Sequence, residues 1–103
     1  MQALDPKRVQ IALEHWLGRA VYVHLEVNPG AYWRNGTAVL SAVHVRGGGP
    51  HRVFLEFAEP AGLIHIDDVT HMVIEEHLVV CTGFDDRDRL ARTLEISDCP
   101  FSM

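Results

Sequence analysis

Residues 20–30 read AVYVHLEVNPG, and this stretch decides the fold class. From Ala20 to Val27, apolar residues occupy every second position, and the positions between them carry Tyr22, His24 and Glu26. Successive side chains of a strand point to opposite faces, so this alternation predicts a strand with one apolar and one polar face. The strand is followed by Asn-Pro-Gly, a composition typical of a turn.

A helix is predicted before this strand. Asp5 can accept a hydrogen bond from a free N–H group at a helix start, and Pro6 suits the first helical position. Apolar residues then recur with the period of a helix, at Val9, Ala12, Leu13, Trp16 and Leu17. Gly18 is the expected end of the helix. The apolar stripe predicts that the helix packs against the core.

Further strands follow the first one, separated by turn signals. We expect them at residues 37–46, 52–57, 63–67, 70–75, 78–82 and 90–96. Asn35-Gly36 predicts a hairpin turn, and Asp67-Asp68 predicts another turn. The connections are too short for crossover helices, so the sheet should be antiparallel.

The expected architecture is mainly β (α+β), with a single domain over residues 1–103. An N-terminal helix would pack on a curled antiparallel β-meander, since a sheet of about seven short strands tends to curl. The result would be either a half-open or a closed barrel.

Composition limits the function classes. Nine Lys and Arg against 14 Asp and Glu give a net charge of −5, and the basic residues are scattered, so no nucleic-acid partner is expected. No apolar run approaches the roughly 20 residues of a membrane helix. The first residues lack the pattern of a signal peptide, which predicts a cytoplasmic protein without a membrane partner. Cys81 and Cys99 form no CxxC motif, and Cys81 is expected to be a small buried residue.

Seven histidines are the unusual feature of the composition. Tyr22, His24 and Glu26 share one strand face. If the strand carrying His71 is a neighbour, then His24, Glu26 and His71 could form a metal site with open positions. The alternative is that these residues are the polar faces of half-exposed strands.

Arg52 follows Gly49-Pro50 and could receive an anionic ligand through its guanidinium group. The alternative is a surface ion pair with Glu56. No motif identifies a cofactor or a nucleophile. The open edges of a small β domain favour a homo-oligomer, most simply a dimer.

Four groups of residues together resemble the YojF-like proteins, a family of small bacterial proteins of unknown function. They are Val21 to Glu26, Gly49 to Val53, Gly62 to His71, and Leu94 to Ser97 with Pro100-Phe101. The chain is shorter than the family pattern around Asn35. The resemblance implies no catalytic residues, although the family pattern includes positions matching His24, Glu26, Arg52 and His71. Members are often encoded beside a zinc-dependent, LmbE-like N-deacetylase of bacillithiol metabolism, which implies a deacetylase partner.

Three functions therefore stay open at this point. The first is a non-enzymatic partner protein that binds itself or the deacetylase through a sheet edge or an aromatic patch. The second is a small-ligand or metal-binding domain that uses His24, Glu26, Arg52, His71 and Tyr22. The third is an enzyme with His24 or His71 as general base, which needs a pocket around that residue.

Overall fold

A computed structural model describes residues 1–103, with one helix and eight strands. The elements are β1 (Gln2–Ala3), α1 (Pro6–Glu14), β2 (Ala20–Val27), β3 (Ala31–Arg46), β4 (His51–Ala58), β5 (Ala61–Val69), β6 (His71–Ile74), β7 (Leu78–Phe84) and β8 (Leu90–Ser97). The mainly β composition predicted from the sequence is confirmed. No helix is long and apolar enough to span a bilayer.

The strands form one antiparallel sheet in the order β1-β6-β7-β8-β2-β3-β4-β5. The sheet is not closed, because β1 and β5 are both edge strands, so the closed alternative is not observed. It is curled, however. The end of β5 approaches β7 and β8, where Arg92 Nη1 donates a 3.1 Å hydrogen bond to the Asp68 carbonyl oxygen.

The core is a single cluster of 21 buried residues, and α1 contributes to it as expected. Asp5 caps the helix, since its side chain accepts hydrogen bonds from the backbone N–H groups of Lys7 and Arg8 at 3.1 and 3.3 Å. Val9 and Leu13 are fully buried. The helix ends at Glu14, earlier than predicted, and turns lead from there to β2.

A polar contact that the sequence pattern does not predict ties α1 to the second half of β3. The Gln10 side chain donates to the Val43 carbonyl at 2.7 Å and accepts from the Val45 N–H at 2.9 Å. Only the first half of β3 pairs with β2, so this side of the strand would otherwise be an open edge. The amide of Gln10 takes the place of a neighbouring strand there.

Two predicted turns are β-bulges instead. Asn35 lies inside the continuous strand β3, with a φ of 58°, between Arg34, which pairs with His24, and Gly36, which pairs with Val23. The predicted hairpin at Asn35-Gly36 is therefore wrong. Asp68 has a φ of 56° and lies inside β5, which leads through Thr70 alone into β6. Asn and Asp tolerate positive φ in bulges as well as in turns, which is why the signal is ambiguous.

The two thiols differ in exposure, and the burial predicted for Cys81 is confirmed. Cys81 lies in the core with 1% exposure, and this burial raises the pKa of its thiol to about 12. Cys99 is exposed and free. Any chemistry that needs a thiol at the surface therefore depends on Cys99.

Candidate functional site

His24 and Glu26 lie side by side on β2, as the alternation predicts, but His24 is buried. Its relative exposure is 4%, although it lies on the polar face of the strand. Its Nε2 atom is 3.1 Å from Glu26 Oε1 and 3.9 Å from Glu95 Oε2, which belongs to the neighbouring strand β8. Two carboxylates therefore flank one edge of the imidazole ring.

The opposite edge of the ring is occupied by Arg34. Its Nη1 lies 3.0 Å from His24 Nδ1, and a guanidinium group can only donate, so Nδ1 must accept. The proton of the neutral ring then lies on Nε2 and is donated to Glu26. Both nitrogens of His24 are occupied within the chain, and neither is free to bind a metal ion or to act as a base.

The C-terminal residues cover this network. Arg34 Nε donates to the Ser102 carbonyl at 2.7 Å, and the guanidinium carbon lies 4.9 Å from the centre of the Phe101 ring. The Asn35 side chain exchanges hydrogen bonds of 2.7 and 2.9 Å with the backbone of Phe101. The side chains of Arg34 and Asn35 thus fasten the last residues across β2 and β3, and His24 is buried beneath them.

The other predicted site residues lie elsewhere. Tyr22 is half-buried on the same face as His24. Arg52 is exposed on β4 and pairs with Arg46 at the opposite end of β3 from Arg34. His71 lies on β6, separated from β2 by β7 and β8. Strands are about 4.8 Å apart, so three steps of the sheet place His71 about 14 Å from His24.

The shared site is therefore not formed. The predicted metal set of His24, Glu26 and His71 does not assemble, because the strands that carry the two histidines are not neighbours. His71 instead contacts the Phe84 ring edge-on, with 5.2 Å between ring centres. The Glu56 carboxylate, considered as an ion-pair partner of Arg52, lies instead 2.8 Å from His44 Nε2.

The Glu26 carboxylate gives a prediction on pH. A hydrogen bond from Asn28 at 2.7 Å, and next the one from His24, hold the pKa of Glu26 below its ordinary value of 4.5. A lowered pKa stabilises the fold above the ordinary value, and this contribution is lost as the pH falls through the folded-state pKa. We expect Glu26→Gln to lower the melting temperature at pH 7, with the difference from wild type shrinking toward pH 3. Glu59→Gln, in an exposed turn, is the matched control, and equal profiles for the two variants would contradict the prediction.

Apolar side chains are exposed at the end of the sheet where β2 and β3 meet. We call this surface the end patch; it consists of Val27, Trp33 and Leu90, which are 44, 49 and 39% exposed. Tyr32 lies on the opposite face of the sheet, where its ring meets that of His24 edge-on at 5.2 Å between centres. The Asn28 side chain connects the β2–β3 turn to the Leu90 carbonyl at 3.3 Å, which brings β8 into the patch. A polar hollow adjoins it, with an ion pair of 2.9 Å between Asp85 and Arg89. Apolar centres with polar rims are typical of protein–protein interfaces.

A groove of about 400 Å³ lies between α1 and the strands β6 and β7. Trp16, Ile74 and Val79 contribute to its apolar floor, while Arg8 on the helix side and Glu75 on the sheet side carry opposite charges. None of the predicted site residues lines this groove.

A further polar cluster, formed by His77, Asp98 and Cys99, was not predicted from the sequence. His77 follows β6, and Asp98 and Cys99 follow β8, so 21 positions of sequence separate His77 from Asp98. His77 Nδ1 lies 3.0 Å from Asp98 Oδ2, and Cys99 Sγ lies 3.3 Å from Asp98 Oδ1. The hydrogen bond between His77 and Asp98 lowers the pKa of the carboxyl and raises the pKa of the imidazole. No spacing motif marks such a pair; only the pairing of β7 with β8 brings it together.

Comparison with known proteins identifies the relatives of the chain. The model of the family described as "Protein of unknown function (DUF1806)" matches residues 27–101. The uncharacterized protein YojF of Bacillus subtilis (strain 168) is 31% identical over 118 aligned positions, which cover all of both chains. The crystal structure of B. subtilis YojF superposes with a TM-score of 0.89 and 32% identity, over 99% of this chain and 97% of that one.

Proposed function

The chain belongs to the DUF1806 family, the YojF-like proteins, and from that premise we propose that it is a non-enzymatic accessory protein of the cytoplasm. It would act by binding a partner protein, and the partner that the family resemblance suggests is an LmbE-like N-deacetylase of bacillithiol metabolism. The observation that carries the proposal is the end patch, where the apolar side chains of Val27, Trp33 and Leu90 are exposed on one face at the end of the sheet. Contiguous exposed apolar surface is costly in water, and interaction sites are its usual explanation.

The composition of the end patch suits a protein partner. Trp33 is of the residue types that dominate binding energy at protein interfaces, because such side chains remove much area from water for few rotatable bonds. Trp33 also lies against Gly36, where a Cβ atom would overlap the indole ring. That contact restricts the indole before any partner arrives, so less entropy is lost on binding.

The polar clusters give less support to the small-ligand and enzyme alternatives. His24 has internal partners on both ring nitrogens, and Arg52 and His71 are far from it. A general base needs a nitrogen within reach of a substrate proton, and a ligand site needs several groups that converge. The accessory role requires neither.

A homodimer is part of the same proposal. The edge strand β5 (Ala61–Val69) has a neighbour on one side only, β4, and it carries the exposed Leu63. Unpaired backbone groups of an edge strand can pair with the same strand of a second copy. Such pairing around Leu63 leaves the end patch free, because only the other end of β5, at Asp68, approaches β8.

The proposal is tested by size-exclusion chromatography with light scattering, on the chain alone and mixed with the deacetylase. We expect a species that contains both proteins, and a dissociation constant raised at least about ten-fold by Trp33→Ser, as for an interface anchor. Leu63→Ser is the matched control, because it removes a similarly exposed apolar side chain from β5; it should leave the complex with the deacetylase intact while weakening any homodimer. Circular dichroism verifies that both variants are folded. Absence of a complex, or equal weakening by both variants, would overturn the proposal.

A further inference from the structure

We propose that His77, Asp98 and Cys99 form a binding site for a divalent transition-metal ion, with zinc as the best match. The site lies where the β6–β7 turn meets the residues after β8, and the donor atoms of the three side chains are within 4.8 Å of one another. It lies at the opposite end of β8 from the end patch, and it does not rest on the proposed partner function.

The three donors differ in chemistry, and together they favour zinc. Thiolate, imidazole and carboxylate are the ligands zinc takes in proteins, whereas Mg²⁺ and Ca²⁺ prefer sets made of oxygen alone. Deprotonated Cys99 and Asp98 would carry two negative charges, which balance a divalent cation with neutral His77. Three protein ligands leave a fourth tetrahedral position for water or for a donor from another molecule.

The distances fit a small rearrangement on binding. Bond lengths of about 2.0–2.3 Å place tetrahedral zinc ligands roughly 3.3–3.8 Å apart. Asp98 lies between the other two residues, with its oxygens 3.0 Å from His77 Nδ1 and 3.3 Å from Cys99 Sγ. Small shifts of the side chains would replace these hydrogen bonds with metal–ligand bonds. His77 and Cys99 are exposed, so rotation of their side chains meets little resistance.

Surrounding groups hold the ligands in place. The Asp98 side chain is 15% exposed, and its backbone N–H is 3.4 Å from the His77 carbonyl oxygen, which fixes the turn against the strand end. The Cys99 N–H donates to Ser97 Oγ at 3.0 Å. On the far side of the imidazole, Glu76 Oε1 is 3.9 Å from His77 Nε2, the position at which metal-bound histidines commonly have a carboxylate.

Two contacts within the chain oppose metal binding. Arg19 Nη2 is 3.9 Å from Asp98 Oδ2 and would have to move away from an arriving cation. The Cys99 Sγ–H group donates a hydrogen bond to Asp98 Oδ1 at 3.3 Å, and metal binding would have to break this bond.

The test uses the full chain, stripped with EDTA and kept reduced. Isothermal titration with Zn²⁺ is expected to show one ion per chain with a micromolar or lower dissociation constant, and Zn²⁺ should raise the melting temperature. Co²⁺ in place of zinc should give the near-ultraviolet charge-transfer absorption of a thiolate ligand. Cys99→Ser should abolish this band, and both Cys99→Ser and His77→Ala should weaken zinc binding at least about ten-fold, within the range for loss of a metal-site group.

His65→Ala is the matched control. His65 is an exposed histidine, 2.7 Å from Asp67, in a pair with no cysteine. This variant should bind zinc like the wild type. The proposal is overturned if Zn²⁺ produces neither heat nor a shift in melting temperature. It is also overturned if His65→Ala weakens binding as much as Cys99→Ser, because the ion would then bind histidines at random.

Discussion

Replacing Gly83 by alanine is expected to lower the free energy of unfolding by about 3 kcal/mol, the upper end of the usual cost of overpacking. A Cβ atom on Gly83 would lie against the backbone oxygen of Asp68 and 2.8 Å from Arg92 Nη1. The Arg92 side chain could move, but the Asp68 oxygen belongs to the backbone of β5. The substitution would therefore push the end of β5 away from β7 and reduce the curl of the sheet.

Urea unfolding followed by circular dichroism measures this effect. Gly62→Ala is the matched control, because no atom lies within 4 Å of the position its Cβ would take; its effect should stay within about 0.5 kcal/mol. Adding Arg92→Ala to the Gly83 variant should not restore stability, since the overlap with Asp68 persists. A Gly83→Ala protein as stable as the wild type would mean that β5 does not approach β7 at this point.

This close approach explains why the sequence predicts the strands better than their arrangement. The alternation in β2 and the capping of α1 by Asp5 are local, and both elements are confirmed. The contact of Gly83 with Asp68 joins two strands that are not hydrogen-bonded neighbours. A glycine in a strand indicates that something lies close to its backbone, but not which segment does so.

The two bulges show a second limit of prediction from the sequence. Asn35 and Asp68 both have positive φ, and the sequence signal for this backbone conformation is real. Positive φ serves a hairpin turn or a bulge equally well, and the choice depends on the partner strand. At Asn35 the strand continues because β2 pairs on both sides of the bulge. The same conformation directs the Asn35 side chain to the backbone of Phe101.

At the candidate site, too, the local features were predictable from the sequence and the long-range contacts were not. The alternation of β2 places His24 and Glu26 on one face, which the structure confirms. It also predicts that this face is half-exposed, whereas the C-terminal residues bury His24. That covering depends on Arg34 and Asn35, whose bonds to residues 101–102 span more than 60 positions of sequence. The periodicity of the sequence gives no information about such a contact.

Arg34→Ala is therefore expected to have the second large effect, a loss of about 2 kcal/mol in the free energy of unfolding. It removes the donor to buried His24 Nδ1, and an unpaired buried polar atom costs roughly 1–3 kcal/mol. It also removes the 2.7 Å bond to the Ser102 carbonyl and the contact with the Phe101 ring. The last residues should then detach, so carboxypeptidase should release Met103 and Ser102 faster than from the wild type.

Arg46→Ala is the control for this variant. Arg46 lies at the other end of β3 and makes hydrogen bonds of only 3.4 Å, so its loss should change stability by no more than about 0.5 kcal/mol. Phe101→Ala completes a double-mutant cycle with Arg34→Ala. If Arg34 and Phe101 both stabilise the fold by holding the C-terminal residues against the sheet, the second substitution should lower the free energy of unfolding much less once the first is present. Additive losses, with unchanged carboxypeptidase release, would instead show that the C-terminal residues are held independently of Arg34, and that His24 is buried without their help.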